Sequence, residues 1–572
     1  MPDKDTIFRV FVAVVAGICG FAFFRWFYPC HLEAREQIQL LLFTPGCFVS
    51  YLEKPAWLAV YLADCLEQFF CWRNGGVLLM VLLLVAEWWL AARFLRRLVD
   101  FMHIELYALF LFAAEVIMLG QLTYPLSVVF SLSLALLGIE LYMHIRTRVL
   151  SVLSGVLLVL LLYSTAGFGV YLFLLMLVLA ESKQGKFRLA YWLFLAAESV
   201  VIPLGLKKLY ALPGETMCLY PIESVYSLCP TVVWIVLVLG LCFVPRRRWY
   251  MSWKEQLGVW MLSFLFLYIG LGITTDFRRE RLLALDKAYT DGRWSDVLRL
   301  SERLGADNRL ASYYRTLALL RSGQLPDALL NYAYPAGAES FFLPWDLSDL
   351  PDRFSPGEVY YALKDWNMAR YAVMRAQEEN RPDESIRLVK RLAEISRNEG
   401  DTLGLEKYQR IMERTLFYSS WAKEQTVLPD TLAGAEKNRL RDPSDFKLSL
   451  YRFVESDRRN KDAVDYLLCY CLVDRDLSTF AEVYRRWGVQ FYPEIPRIYA
   501  EALLMQMLPE PKKGRRTKKT QPETFVIPEV WKKAYADYLS VKKYADKHLE
   551  ALQVVYGKSY WYYYDLSEEG KR

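Results

Sequence analysis

The sequence predicts an all-α chain: a polytopic helical membrane domain of about nine spans, followed by an irregular α-solenoid soluble domain. Three observations carry this prediction. Of 572 residues, 54% are hydrophobic, and in the first half they gather in blocks of about 15 to 22, the length a bilayer-crossing helix needs. From about Asp276 onward charges are dense and no apolar run of that length recurs. The second half instead repeats a helix, glycine, helix pattern that can bury a core of its own.

Apolar blocks place the spans at 7–27, 75–92, 104–121, 125–143, 149–165, 167–181, 189–204, 230–245 and 255–273. The stretch 149–181 reads either as a hairpin or as one long broken helix. The first block looks superficially like a signal peptide, but it is long and ends in "FFRWFYP" without a small-residue cleavage site, so it reads as an anchor helix. The predicted domains are a membrane domain at 1–275 with external interfacial helices at about 30–72, a helical domain at 276–508, a basic linker at 509–523, and a C-terminal helix with an aromatic tail at 524–572.

Loop charge gives orientation, because Lys and Arg accumulate on the cytoplasmic side. With the N-terminus inside, the inner segments hold Lys4, Arg9, Arg93, Arg96, Arg97, Arg146, Arg148, Lys183, Lys186, Arg188, Arg246, Arg247, Arg248 and Lys254. The outer loops hold only Arg35, Lys54, Arg73, Lys207 and Lys208. This predicts a multi-pass membrane protein with a cytoplasmic N-terminus and an external C-terminal domain.

In the soluble half, Gly292 precedes Val297 by five positions and Gly323 precedes Ala328 by five, within "ALDKAYTDGRWSDVLRL" and "LALLRSGQLPDALLNY". A small or aliphatic residue at that offset lets two helices approach across a turn. Gly400 precedes Leu405 in the same way, and "YLLCYCLVDRDLSTFAEVYRRW" reads as a fourth, degenerate unit. This pattern resembles tetratricopeptide repeats.

Composition excludes several functions. A net charge of +6 over this length gives no argument for a nucleic-acid partner. Ten cysteines without a CxxC pair and four scattered histidines lack zinc spacing. No GxxxxGK[ST] motif is present, so the chain does not drive itself with nucleotide.

The polar residues with chemical potential cluster after the first span, in "YPCHLEAREQIQLLLF". On a helix, Glu33, Glu36 and Gln37 fall within about 100° of one another, while Ala34, Ile38, Leu41 and Leu42 take another arc. Such a segment is suited to lie along a membrane surface, with two carboxylates facing one way. Inside the spans, Glu115 and Glu198 are costly enough to be functional candidates. Glu87, Glu105 and Glu140 sit near basic residues at the inner ends, where ion pairing accounts for them. Arg25, Arg35, Lys207 and Lys208 are outer cations able to hold a lipid phosphate.

Two resemblances follow. "HLEAREQIQLLLF", "LADCLEQFFCW", "LALLRSGQLPDALL" and "YGKSYWYYY" resemble an uncharacterised bacterial family of polytopic membrane proteins with tetratricopeptide-like tails. That resemblance implies the inner membrane and no known activity. Over the first 275 residues or so, the architecture is similar to the C superfamily of membrane glycosyltransferases, which use polyprenyl-phosphate-linked sugars. By that likeness Glu33 or Glu36 would be the general base, or a group on a divalent cation, that activates an acceptor hydroxyl. The remaining candidates, Gln37, Arg25, Arg35, Lys207, Lys208, Glu115 and Glu198, would bind substrate. Two departures stand out: the family presents Asp in its first loop, and "GQLTYPLS" carries no second acidic motif. The alternatives are a non-enzymatic scaffold whose solenoid holds an envelope protein, and a transporter or flippase.

Overall fold

A computed structural model describes residues 4–99, 103–185, 188–207, 210, 217–222, 224–243, 251–305, 307–345, 351–380, 384–427, 441, 444–507, 525–544 and 549–569. The basic linker and Lys208 lie outside them. Helices and turns make up the described residues, with no strand among them. The chain forms two compact units. The first holds Met1–Glu280, Pro382–Val389 and Glu406–Gln425, and the second Arg281–Arg381, Lys390–Leu405 and Thr426–Arg572.

The first unit opens with α1 (Lys4–Ala22), which runs on through a π-helical turn, Phe23–Phe27. Three short helices follow: α2 (Cys30–Gln37), α3 (Pro45–Leu52) and α4 (Trp57–Gln68). Then come α5 (Arg73–Leu98), α6 (Leu109–Leu119), α7 (Leu126–His144), α8 (Arg148–Ala166), α9 (Gly169–Lys183), α10 (Leu189–Leu206), α11 (Cys229–Cys242) and α12 (Trp253–Thr274). Helix α7 is the hub, packing on α4, α5, α8 and α9.

Seven helices are long and apolar enough to cross a membrane. That is the composition of a membrane protein. About nine spans were expected, and the two others appear as α6, of 11 residues, and α9, of 15. At 1.5 Å per residue, neither covers a hydrocarbon core of about 30 Å. Helix α6 is short because the chain leaves helical geometry on both sides. His103 takes a left-handed conformation and Ile104–Leu106 forms a 3-10 turn, while Gly120 ends the helix. Ten of its eleven residues are buried, as suits a helix apolar all round. Helix α12 is the opposite: of its 22 residues only Ser263 is buried, which leaves a wide apolar surface to lipid.

Gly167 decides the 149–181 ambiguity in favour of a hairpin. It closes α8 at φ 58° and ψ −119°, a conformation open to glycine and strained for any other residue.

The second unit takes up α13 (Phe277–Thr290), which begins in the first, and continues with α14 (Trp294–Leu304), α15 (Arg309–Arg321) and α16 (Leu325–Ala328). After these come α17 (Glu358–Ala362), α18 (Trp366–Glu379), α19 (Ile386–Glu399), α20 (Thr402–Met412), α21 (Ser419–Glu424), α22 (Phe446–Ser456), α23 (Lys461–Val473), α24 (Leu477–Val483) and α25 (Arg497–Met507). Helices α20 and α21 carry residues 406–425 of the first unit. The three turn glycines, Gly292, Gly323 and Gly400, each adopt the left-handed conformation between two helices, at φ 71°, 70° and 85°. The degenerate fourth turn, between α23 and α24, uses Arg475 at φ 61° instead. The aromatic tail is core: the Tyr560 hydroxyl donates to the Leu472 carbonyl at 3.0 Å, and the Trp561 indole donates to the Glu501 carbonyl at 3.0 Å.

A Cβ at Gly167 would stand 2.1 Å from the Tyr220 carbonyl oxygen and 2.9 Å from the Ala56 Cβ. Gly167→Ala is therefore expected to destabilise the first unit by about 2 kcal/mol or more, from backbone strain and clash together. Thermal melting of the full chain in lipid nanodiscs measures this, and an unchanged melting temperature refutes the close approach.

Candidate functional site

Spacing predicts that residues 30–43 lie on a membrane surface with one polar and one apolar face. The structure corrects this. Helix α2 ends at Gln37, and His31, Leu32, Glu33, Ala34, Arg35 and Glu36 are all buried. Periodicity recovers the two faces, but both are covered by protein.

Arg35, 2% exposed, donates to the Tyr124 carbonyl at 2.6 Å and to the Gln121 carbonyl, and pairs with Glu67 at 3.5 Å. Gln39 donates to the other Glu67 oxygen. The His31 ring sits between the carbonyls of Tyr28, 2.8 Å from Nδ1, and Leu119, 2.9 Å from Nε2. Leu119, Gln121 and Tyr124 are the end of α6 and the turn after it, so α2 caps carbonyls that a helix C-terminus leaves without partners. Two carbonyls suit a doubly protonated ring, yet burial, then the Arg35 charge, push the His31 pKa down to about 3. The ring is neutral, and one of the two nitrogens donates. Burial likewise draws the Arg35 pKa below the ordinary guanidinium range, opposed by Glu67.

The start of α2 is capped in turn. One Glu280 oxygen accepts the Cys30 N–H at 2.5 Å and the other accepts the His31 N–H at 3.1 Å. A carboxylate there is favoured by the helix dipole. Burial outweighs these bonds and raises the Glu280 pKa from 4.5 to about 7.

Glu36 accepts the Tyr418 hydroxyl at 2.7 Å, from a residue 382 positions away. Burial, then the Glu36 charge, push the Tyr418 pKa far up, so its hydroxyl stays protonated and donating. Glu33, one helical turn before Glu36, lies in the electrostatic field of both Glu280 and Tyr418. Three more bonds fix the end of α2 and the chain after it. Ser385 donates to the Gln37 carbonyl at 2.7 Å, Ile386 N–H to the Gln39 carbonyl at 3.2 Å, and Phe43 N–H to the Arg414 carbonyl at 2.8 Å.

The structure thus brings together Glu33, Arg35, Glu36 and Gln37. Glu115 connects with them through Tyr124, whose hydroxyl donates to Glu115 at 2.7 Å while its carbonyl accepts from Arg35. The other candidates stand apart. Arg25 donates to Asn74 at 2.5 Å, joining the end of α1 to the start of α5. Glu198, half-buried, and Lys207, exposed, belong to α10 and its C-cap, and α10 packs on α8 and α9. Lys208 is not among the described residues. At the opposite helix ends, Glu140 pairs with Arg97 at 2.6 Å and Arg93 at 3.1 Å, and Glu105 lies 3.8 Å from Arg9 and 3.9 Å from Arg96. Glu87 does not follow this pattern; it is buried within the field of Glu115.

Sequence reasoning missed Glu280, Tyr418 and Gln39 as members of this site. Glu280 stands in a charge-dense stretch just past the last span, which marks it as no different from its neighbours. Nothing local signals Tyr418. For a divalent cation, no group of three or more His, Cys, Asp or Glu side chains converges among the described residues. Glu33 and Glu36 alone make a poor cage for one, and no step is assigned to a metal.

Arg35→Met would leave Glu67 and two carbonyls without their cation, and a loss of about 3 kcal/mol or more is expected in denaturation of the full chain. Arg35→Lys would recover only part of it, since an ammonium cannot reproduce the planar fork. Glu280 predicts a pH dependence. The folded state binds this proton more tightly than the unfolded state, so its contribution is full below about pH 4.5 and is lost as pH rises through about 7. The stability of the wild type relative to Glu280→Gln should fall by about 1–3 kcal/mol between roughly pH 5 and 8. A pH-independent difference would show that Glu280 does not titrate in this window.

No curated protein and no solved structure gives a significant match to the chain. A family model does, over residues 5–567, and it covers both units. The protein belongs to the family of unknown function DUF6057.

Proposed function

We propose that this protein is a membrane-embedded, glycosyltransferase-like enzyme of the bacterial cell envelope that takes its sugar from a polyprenyl-phosphate-linked donor. The observation that carries this reading is the setting of Glu33 and Glu36. They lie one turn apart on a rigid, buried helix in the loop after the first span, and Tyr418 orients Glu36. A carboxylate fixed by a neutral phenol is arranged as a general base is, with its orienting partner behind it. Glu36 would take the proton of an acceptor hydroxyl as that oxygen attacks the anomeric carbon, the bond from that carbon to the phosphate oxygen would break with polyprenyl phosphate leaving as the anion, and Glu33 would hold the acceptor. The likeness of the first 275 residues to the C superfamily of membrane glycosyltransferases, read from the sequence, supports this assignment. Loop charge supports a cytoplasmic N-terminus and an external C-terminal unit in the inner membrane.

A second reading has its own observation. Gly292, Gly323, Lys364, Gly400 and Arg475 each sit in the left-handed conformation between two helices, as turns do in tetratricopeptide-like solenoids that hold a protein partner. In that case the membrane unit anchors a scaffold, and α2 is a structural plug.

The test is turnover of a short-chain polyprenyl-phosphate glucose, with a panel of other sugars, by the full chain in nanodiscs. Release of polyprenyl phosphate by the wild type, falling about 100-fold or more in Glu36→Gln with the melting temperature retained, is expected. Equal turnover in Glu36→Gln removes the assigned base. No turnover with any sugar, together with a partner recovered equally by wild type and Glu36→Gln, establishes the scaffold.

A further inference from the structure

Helix α3 has no buried residue, whereas its neighbours α2 and α4 both do. It is nonetheless well formed: Thr44 caps its N-terminus by accepting the Cys47 N–H at 3.2 Å, and Pro45 occupies its first turn. None of its eight residues is charged. Pro45, Phe48, Val49 and Leu52 recur at i, i+3, i+4 and i+7, which makes one stripe along the helix. All four are exposed, Phe48 by 37%, Val49 by 51% and Leu52 by 42%. Another side of α3 is held by α4. The Tyr51 hydroxyl donates to Asp64 at 2.6 Å, the Tyr51 and Tyr61 rings lie 5.3 Å apart, and Phe48 reaches Tyr61 at 5.2 Å. The helix is therefore fixed to α4 through Tyr51 and Phe48, with Pro45, Val49, Leu52 and the open edge of Phe48 facing away from it.

We propose that this stripe rests in the bilayer at the depth of the headgroup and acyl boundary, so that α3 anchors the first loop to lipid. Eight residues make about 12 Å of helix, too short to cross and right for lying in the interface. The lipid-facing surface of the spans continues toward this loop. Trp26 and Phe27 at the end of the first span are 66% and 65% exposed, and Trp72 at the start of the second is 60% exposed. Arg25 and Asn74 bond these two ends together. Exposed tryptophans at span ends mark the headgroup level, and α3 lies in the loop joining those ends. Directly after α3, the exposed Glu53 and Lys54 return the chain to a polar medium. The occupant is thus bulk phospholipid, held by apolar contact rather than by attraction to anionic headgroups. This role is independent of any catalysis by α2.

The test places a benzophenone amino acid at Phe48 or, separately, at Val49 in the full chain in phospholipid nanodiscs, followed by irradiation and mass spectrometry. Position 49 is the more exposed and stays informative if position 48, which packs on Tyr61, does not tolerate the probe. Phospholipid adducts at position 49, absent when the probe stands at Lys54, are the expected result. Adducts to protein, or no adducts at 49, overturn the proposal. Val49→Glu combined with Leu52→Glu should lower the lipid adduct yield from a probe at position 48 several-fold while leaving the chain in the membrane through its spans. An unchanged yield counts against the stripe.

Discussion

An arginine and a histidine on one short helix take the carbonyls at the end of another, and the first unit is arranged around that contact. Helix α6 is buried on nearly every side and stops at Leu119, well short of bilayer length. Its last carbonyls consequently end inside protein, where an acceptor without a donor costs about 1–3 kcal/mol. Arg35 and His31 supply the donors, Glu67 and Gln39 fix the guanidinium from behind, and Glu280 closes the other end of α2. Glu280 at the start of α2 has the sign the helix dipole favours, whereas His31 caps Leu119 with a neutral ring and Arg35 serves the turn after α6. A helix as polar as α2 can be buried because almost every charge it carries solves a hydrogen-bonding problem elsewhere.

The two ends of the bundle handle charge differently. At one end, Glu105, Glu140 and Glu181 meet arginines that are 15% to 38% exposed, namely Arg9, Arg93, Arg96, Arg97 and Arg188. These are partly exposed pairs, and such side chains can lay their long stems along apolar surface while the guanidinium stays solvated. At the other end Arg35 is almost fully withdrawn from solvent, and its partners are mostly backbone carbonyls and a single carboxylate. A pair of the first kind adds modestly to stability and sets orientation. Removing one member of the second kind leaves buried polar groups unmatched.

Much of this was legible in the sequence, and the limits have physical causes. Apolar length located the long spans, and glycine offsets located three left-handed turns, because both signals are local. Seven of the nine expected segments are long apolar helices, while 104–121 and 167–181 hold helices of 11 and 15 residues. Hydropathy measures how apolar a stretch is, and a helix wrapped by other helices is as apolar as one facing lipid. The same ambiguity misplaced α2. Helical spacing separated Glu33, Glu36 and Gln37 from Ala34 and Ile38 correctly, but spacing names faces and not what covers them. Tyr418 and Glu280 cover this one, and long-range partners leave no mark on local pattern. Helix α3, uncharged and without a buried residue, was overshadowed in the sequence by its more charged neighbour.

The charge balance around α2 bears on what such a site would receive. Glu33, Glu36, Glu67 and Glu280 lie on or beside it together with two cations, Arg35, whose guanidinium is engaged by two carbonyls and Glu67, and Arg387, which donates to the Gln37 side chain at 3.5 Å. Arg35, held by those partners, is not placed to clamp a phosphate. A hydroxyl or amine would meet acceptors already held in place. In the proposed enzyme, the lipid phosphate would be neutralised by cations of the first unit other than Arg35. Arg25, at the end of the first span, and Lys207, exposed after α10, are cations there that the α2 cluster does not use. This division assigns Arg35 to holding the fold, where the sequence had offered it as a phosphate clamp.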